Sequence, residues 1–411
     1  MARCCSTIRL PVSKDDYPAI AADPRRFRCW LDDSFRRQPE VFPEAFAQGY
    51  ALKDRRTSAK TGLTLRRVRC KATGESFSVA PSFALPYRAG YADFARNGLF
   101  LRSFGVPFWA VAQVCGRDHS YWYRLELSLG RNRIVGTTLR RAELPADLLA
   151  DEHHQTRDGE KNYIATTVGA GCVLGCALAQ TANAEDLQAA YEVFKQEAQD
   201  VQPDYRPRTV SVDGWAATHQ AWLTLWPLVV LLRCFLHGWL NIRSRGKLSA
   251  SFRELSGKAW EAFAAPTRRC FAQRLRRLRE WARGQDLTAW LLEQVEKLCG
   301  RSKEYGVAYE HPGGHRTSNM LDRLMRPMSR YLEDGQHLHG GEEACALHCR
   351  AWALLHNFRP WHPATARANG GWRSPAERLN RHRYHDDWLQ NLLVAASLGG
   401  YRRRNYPPHN P

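Results

Sequence analysis

Between Leu148 and Cys234, apolar runs of strand length are interleaved with longer amphipathic runs, and their order restricts the fold more than any other feature of this chain. Leu148–His153 reads as a first strand. Tyr163–Val168 and Cys172–Ala179 read as a hairpin across Gly169-Ala170-Gly171. Ala184–Ala198 places its apolar residues at the helical period, and Thr209–Val212 is a short β-branched run. A helix begins near Ala216, and Leu228–Cys234 reads as a fifth strand. Three antiparallel strands followed by helix, strand, helix and strand predict an α/β core on one mixed sheet. The first and fourth strands then lie side by side, so groups at their ends meet.

Both of those strands end in an acid. Asp151 closes Leu148-Leu149-Ala150, and Asp213 follows Thr209-Val-Ser-Val212, 62 residues later. Cys234-Phe-Leu-His237 comes next, and Ser318-Asn319-Met-Leu-Asp322-Arg323 places a third acid 109 residues beyond Asp213. Hydrolysis or transfer of a phosphodiester uses two divalent ions about 3.5–4 Å apart. Mg2+ takes hard oxygen ligands and keeps several waters, so two or three carboxylates suffice. Asp322 projects from a helix whose apolar side, Met320, Leu321 and Leu324, is expected to pack on the sheet. Each acid also has a plainer use. Asp213-Gly214 is turn chemistry, and an Asp at a strand end commonly caps the next helix. Asp322 with Arg326 one turn on fits a surface ion pair. The ordered set of three, each in a matching strand or helix, points to chemistry.

The rest of the chain divides by composition. Residues 1–90 read as irregular and rich in Arg, Pro and Phe, with a hairpin expected at Leu65–Cys70 and Ser76–Val79 across Thr73-Gly74. Residues 91–130 give three helical segments, Ala92–Ser103, Phe108–Val114 and His119–Leu129, broken at Gly105-Val-Pro and Gly116-Arg-Asp. That is the pattern of a helix-turn-helix whose third helix reaches DNA with Arg117, Tyr121, Tyr123 and Arg124; a plain three-helix packing unit fits it as well. Gly130–Pro145 reads as a linker. The sheet core starts at 145–243, an all-helical insertion follows at 244–314, and the helix of the third acid falls in 315–340. Residues 341–411 read as a helical basic tail ending in Tyr401-Arg-Arg-Arg404. The insertion crowds seven arginines into Arg268–Arg283, and Arg274, Arg276 and Arg277 are the candidates there for holding phosphates.

A net charge of +19 fits a polyanionic partner, and double-stranded DNA is the expected one. Twelve cysteines at irregular spacing, after a polar start, point to a reducing cytoplasm instead of a disulfide scaffold. The most apolar stretch, Trp222–Leu232, is broken by Pro227 and stopped by Arg233, too short to span a membrane. Cys234-x-x-His237 and Cys345-x-x-His348 have the spacing of zinc half-sites. Support of the acidic site or of a DNA backbone is the expected use of Cys234 and His237, and zinc is not expected.

Together, Asp151, Val212-Asp213-Gly214, Cys234-Phe-Leu-His237-Gly-Trp-Leu-Asn241, a helical insertion and Ser318-Asn319-x-x-Asp322-Arg323-Leu324 resemble the catalytic core of bacterial insertion-sequence transposases of the Mutator-like group. The likeness spans roughly residues 145–340. It implies a ribonuclease-H-like fold with an all-α insertion, preceded by a helix-turn-helix. It implies that Asp151, Asp213 and Asp322 bind two Mg2+ or Mn2+ ions, that terminal inverted repeats are cut, and that the freed 3′ hydroxyls are joined to target DNA. It also implies a homodimer or larger assembly on DNA, in the bacterial cytoplasm at the nucleoid. Two positions depart from the group. Asp322 stands where its members carry Glu, and Glu333, about three turns on, is the alternative. Arg69-Cys70-Lys-Ala-Thr73-Gly-Glu-Ser-Phe77 resembles a zinc-ribbon knuckle with Thr73 in place of the second Cys, a degenerate form. A catalytically inactive or domesticated DNA-binding protein, and a ribonuclease-H-fold nuclease without strand transfer, are the other readings.

Overall fold

The computed structural model describes residues 6–401 apart from 89, 158, 248–249, 318, 334–337 and 339. The first ninety residues are not irregular. Strands β1 (Thr7–Leu10), β2 (Tyr50–Thr57), β3 (Thr64–Cys70) and β4 (Ser76–Pro81) form a mixed sheet in the order β1-β4-β3-β2, with β1 parallel to β4. Helices α1 (Tyr17–Ala22) and α2 (Pro24–Arg37) accompany it. Phe27 and Leu31 of α2 share a core with Ile8, Val68, Val79 and Phe46. That core is assembled from residues scattered over the region, so no short window of sequence carries its period. The β3–β4 hairpin lies where the sequence places it, with Gly74 at φ +71 in the turn. Cys70, the first cysteine of the knuckle-like segment, is a fully buried core thiol.

Helices α3 (Ala92–Arg102), α4 (Phe108–Cys115) and α5 (His119–Gly130) match the expected segments to within a residue at each end. Their core of Leu99, Val111, Trp122 and Leu125 is completed by Leu354, Leu355, Leu389 and Leu392 from the far end of the chain. Those residues sit on α15 (Glu342–Phe358) and α18 (Trp388–Ala395). The segment from 341 is therefore not a tail: α15 packs between α5 and the second sheet and buries Trp352, Ala353, Leu354 and Leu355. Its charged end, residues 402–411, lies outside the described residues. Nor is 130–145 a free linker. It forms α6 (Ile134–Thr138), and Arg140 is 1% exposed.

The second sheet has the expected strands: β5 (Asp147–Arg157), β6 (Glu160–Gly169), β7 (Cys172–Ala179), β8 (Thr209–Val212) and β9 (Val230–Arg233). Their order is β7-β6-β5-β8-β9; β5, β6 and β7 are antiparallel neighbours, while β8 and β9 run parallel to β5. Helices α7 (Ala184–Val201) and α8 (Ala216–Leu225) make the crossovers and cover one face with Leu187, Phe194 and Trp222. The other face is covered by α15 and by α14 (Asn319–Glu333), through Leu324, Met328 and Trp352. Between β9 and α14 the chain forms α9 (Phe235–Gly246), α10 (Phe252–Phe263), α11 (Arg268–Arg283), α12 (Ala289–Gly300) and α13 (Ser302–Gly306), with their own core around Phe235, Phe271, Leu278 and Val295. Short helices α16 (Pro363–Ala368) and α17 (Pro375–Asn380) complete the set. The molecule is thus α/β with two mixed sheets, and no helix among the described residues is long and apolar enough to cross a membrane.

Candidate metal and nucleic-acid site

β5 and β8 pair in parallel, Asp147 with Thr209, Leu148 with Val210 and Leu149 with Ser211. The pairing ends there; Asp151 and Asp213 each follow that last pair by two residues, and the charges of both reach the neighbouring Glu152. Alternation along β5 sends Leu148 and Ala150 into the core under α7 and α8, and Leu149 into the core under α14 and α15. Asp151 shares the face of Leu149, which is the face α14 crosses. Asp213 stands just past the end of β8. Its Oδ1 accepts the Trp215 N–H at 2.7 Å, at the start of α8. Gly214 has φ +98, and a Cβ there would lie 2.4 Å from the Arg233 guanidinium carbon. The turn chemistry of Asp213-Gly214 is therefore present, and it engages one carboxylate oxygen.

Sequence reasoning missed Glu152. It lies on the opposite face from Asp151, is 7% exposed, and accepts hydrogen bonds from Tyr191 (2.7 Å) and Thr218 (2.8 Å) on Oε1. Burial pushes its carboxyl up to about 7, against those two hydrogen bonds, and the charges of Asp151 and Asp213 push the same way. The signal was available: the residues two and four before it, Ala150 and Leu148, are apolar, so alternation buries position 152. His154 and His219 lie within reach of the Asp213 charge, and His153 is two residues along β5 from Asp151. Burial lowers the imidazole pKa of His153, His154 and His219 below the usual value, while the charge of Asp213 pulls His154 and His219 upward.

The third acid rests on α14. The helix starts at Asn319; before it the chain runs beside the start of α9, where the Arg316 carbonyl accepts the Phe235 N–H at 3.2 Å. The insertion thus closes where it opened. Asp322 lies in the first turns of α14, and its side chain is outside the described residues. Glu333, exposed at the other end, is close enough for its charge to offset part of the lowering at His153, two residues along β5 from Asp151. Cys234 is buried at the end of β9, with its N–H on the Val212 carbonyl at 2.9 Å, and His237 is half-buried on the first turn of α9. Cys345 and His348 are used elsewhere: Cys345 donates to the Gly340 carbonyl and His348 bonds Glu126 at 2.7 Å. Among the described residues no group of three or more His, Cys, Asp or Glu side chains is gathered as a metal site.

On α5 the helix-turn-helix residues divide. Tyr123 packs between Phe108 and His348, with ring centroids 5.7 and 5.0 Å away, and belongs to the helical packing. Tyr121 is half-buried beside Phe94 and Trp122, and burial raises its phenol pKa. Arg117 and Arg124 are exposed at the amino end of α5, Arg117 over the rings of Phe94 and Tyr121 and Arg124 folded back on Ser120. In the insertion, Arg274 donates to the Glu261 carbonyl and Arg276 pairs with Glu280, whereas Arg277 is exposed with no carboxylate partner among the described residues. On α14, Arg323, Arg326 and Arg330 form an exposed ridge opposite Leu324, Met328 and Leu332.

No protein-family model matches the chain, and no curated protein matches it.

Proposed function

We propose that this protein is a DNA transposase with a ribonuclease-H-like core, and the observation that supports the reading best is the parallel pairing of β5 with β8, from whose last pair Asp151 and Asp213 are equally offset. The strand order, with β8 and β9 parallel to β5, and the closed helical insertion ahead of α14 support the fold part of it. Hard carboxylate oxygens at adjoining strand ends suit a divalent ion that keeps waters. Asp151 and Asp213, with Asp322 or Glu333 from α14, would hold two Mg2+ or Mn2+ ions. When bound, such ions neutralise the phosphodiester and activate the attacking oxygen. The protein's own part is positional: the Trp215 amide fixes Asp213, and Cys234 and His237 support the end of β9 beside it. The arginine ridge of α14 and Arg277 would hold backbone phosphates, while Arg117 and Arg124 would approach the terminal repeats from α5.

The test is incubation of the protein with Mg2+ or Mn2+ and labelled DNA carrying the sequences that flank its gene, beside Asp213→Asn. Metal-dependent cleavage at the ends that vanishes in the variant supports the reading. Joining of pre-cut ends to a second duplex separates a transposase from a nuclease. Equal, tight DNA binding by both proteins without cleavage favours a non-catalytic DNA-binding protein, a reading to which the structural use of Asp213 as a turn residue lends support.

A further inference from the structure

The proposed DNA reading leaves the amino-terminal sheet without a role, yet its outer hairpin has an unusual edge. β2 is the last strand of its sheet, and Lys53 to Thr57 are exposed throughout. It pairs only with β3, Thr57 facing Thr64, and the two hydroxyls bond at 2.8 Å where the ribbon turns. The turn is closed by Ser58 N–H to the Leu63 carbonyl and Gly62 N–H to the Ser58 carbonyl. Asp54 is taken by Arg67, and Lys53 donates to Ser76 at 3.0 Å. Arg55, Arg56 and Lys60 remain, all exposed and in no ion pair among the described residues, although the Arg56 charge reaches Asp54. Charge on an edge strand guards against pairing with another chain. That explains one cation and leaves the other two without a use.

Tyr91 joins the ribbon tip to the helical unit, beside Lys14, which is itself paired with Asp93 at 3.5 Å. The Tyr91 hydroxyl donates to the Thr61 carbonyl at the hairpin tip, and the Lys14 ammonium sits 4.3 Å above its ring. Lys14, Arg55, Thr61 and Tyr91 line one groove of about 410 Å3. At the neighbouring Gly90 an added Cβ would lie 3.3 Å from the Tyr121 hydroxyl, which puts the amino end of α5, with Arg117, next in line.

We propose that the β2–β3 ribbon is a second binding element for double-stranded DNA, gripping backbone phosphates alongside the stretch approached by α5. A two-stranded ribbon has the width of the major groove, and cations without carboxylate partners release counterions from the duplex when they meet its phosphates. The inference rests on the DNA reading above and adds a site to it.

Arg55→Gln/Arg56→Gln/Lys60→Gln tests it in the full chain, by fluorescence anisotropy on a labelled duplex from the gene's flanks across a range of salt. The control removes three cations that already face carboxylates, Lys195→Gln/Lys258→Gln/Lys297→Gln, paired at 3.6, 3.4 and 2.7 Å. The expected result is a slope of log K against log salt smaller by about 0.9 for each phosphate that the variant no longer neutralises, with the control unchanged and both variants melting like the wild type. A ribbon variant with the wild-type slope and affinity overturns the proposal, as does a control whose slope falls by as much. Ribbon-dependent binding stronger to RNA than to the duplex also overturns it. Wild-type protein that binds no duplex at all removes the DNA reading itself, and the ribbon proposal with it.

Discussion

Asp213→Asn separates the two uses of that residue, because the amide oxygen still accepts the Trp215 N–H while the negative charge is gone. Urea unfolding should place the variant within about 0.5 kcal/mol of the wild type, and on the proposed transposase reading metal-dependent cleavage should fall by about a hundredfold or more. Asp213→Ala, which loses the acceptor as well, should cost about 1 kcal/mol of stability. Glu152 makes a pH prediction. Its folded carboxyl titrates at about 7 against 4.5 when exposed, so between those values the native state holds a proton that the unfolded state releases. Stability therefore falls as pH rises through that window and levels off above it, by at most about 3 kcal/mol. Glu152→Gln keeps an oxygen for Tyr191 and Thr218 but cannot ionise. Metal-free urea melts from pH 4 to 8 should lose this slope in the variant; an unchanged slope would assign the pH dependence to another group.

Helices are locked together by a cluster around the fully buried Glu126. Glu126 of α5 receives Arg102 of α3 at 2.9 Å, Tyr331 of α14, and His348 of α15 at 2.7 Å. Burial alone would raise this carboxyl; the charge of Arg102, then His348 and the Tyr331 hydroxyl, hold it below its ordinary value. Glu126→Gln leaves Arg102, 3% exposed, with its charge uncompensated, which should cost about 3–5 kcal/mol in equilibrium unfolding. Tyr331→Phe should cost less, about 1–2 kcal/mol. Within α3, Gly98 meets the Trp122 ring so closely that a Cβ would lie 2.4 Å away. Gly98→Ala should cost about 1–3 kcal/mol by overpacking, read from the shift of the thermal midpoint.

Across the whole molecule, Arg140 ties together parts far apart in sequence. From the segment between the helical unit and the second sheet it donates to the carbonyls of Ala395 (2.5 Å), Ser397 (2.5 Å), Glu40 (3.2 Å) and Tyr401 (3.2 Å). Arg140→Met should strand those buried carbonyls at a cost of at least about 3 kcal/mol. It should also loosen the amino-terminal sheet from the rest, so that a calorimetric scan splits into two transitions where the wild type shows one.

What the sequence determined by itself was local. The strands and helices from Leu148 to Cys234 and the three helices after Ala92 were legible because apolar spacing of two or 3.6 is written into neighbouring residues. The equal offset of Asp151 and Asp213 from the Leu149–Ser211 pair followed once β5 and β8 were adjacent. The first sheet beyond its β3–β4 hairpin, the burial of α15 and the Glu126 and Arg140 clusters were decided only by tertiary structure. Their partners lie tens to hundreds of residues away, and a residue such as Arg140 looks like linker charge until four carbonyls converge on it. Glu152 stands between the two cases. Alternation could have buried it, but only packing against α7 and α8 brought Tyr191 and Thr218 to its carboxylate.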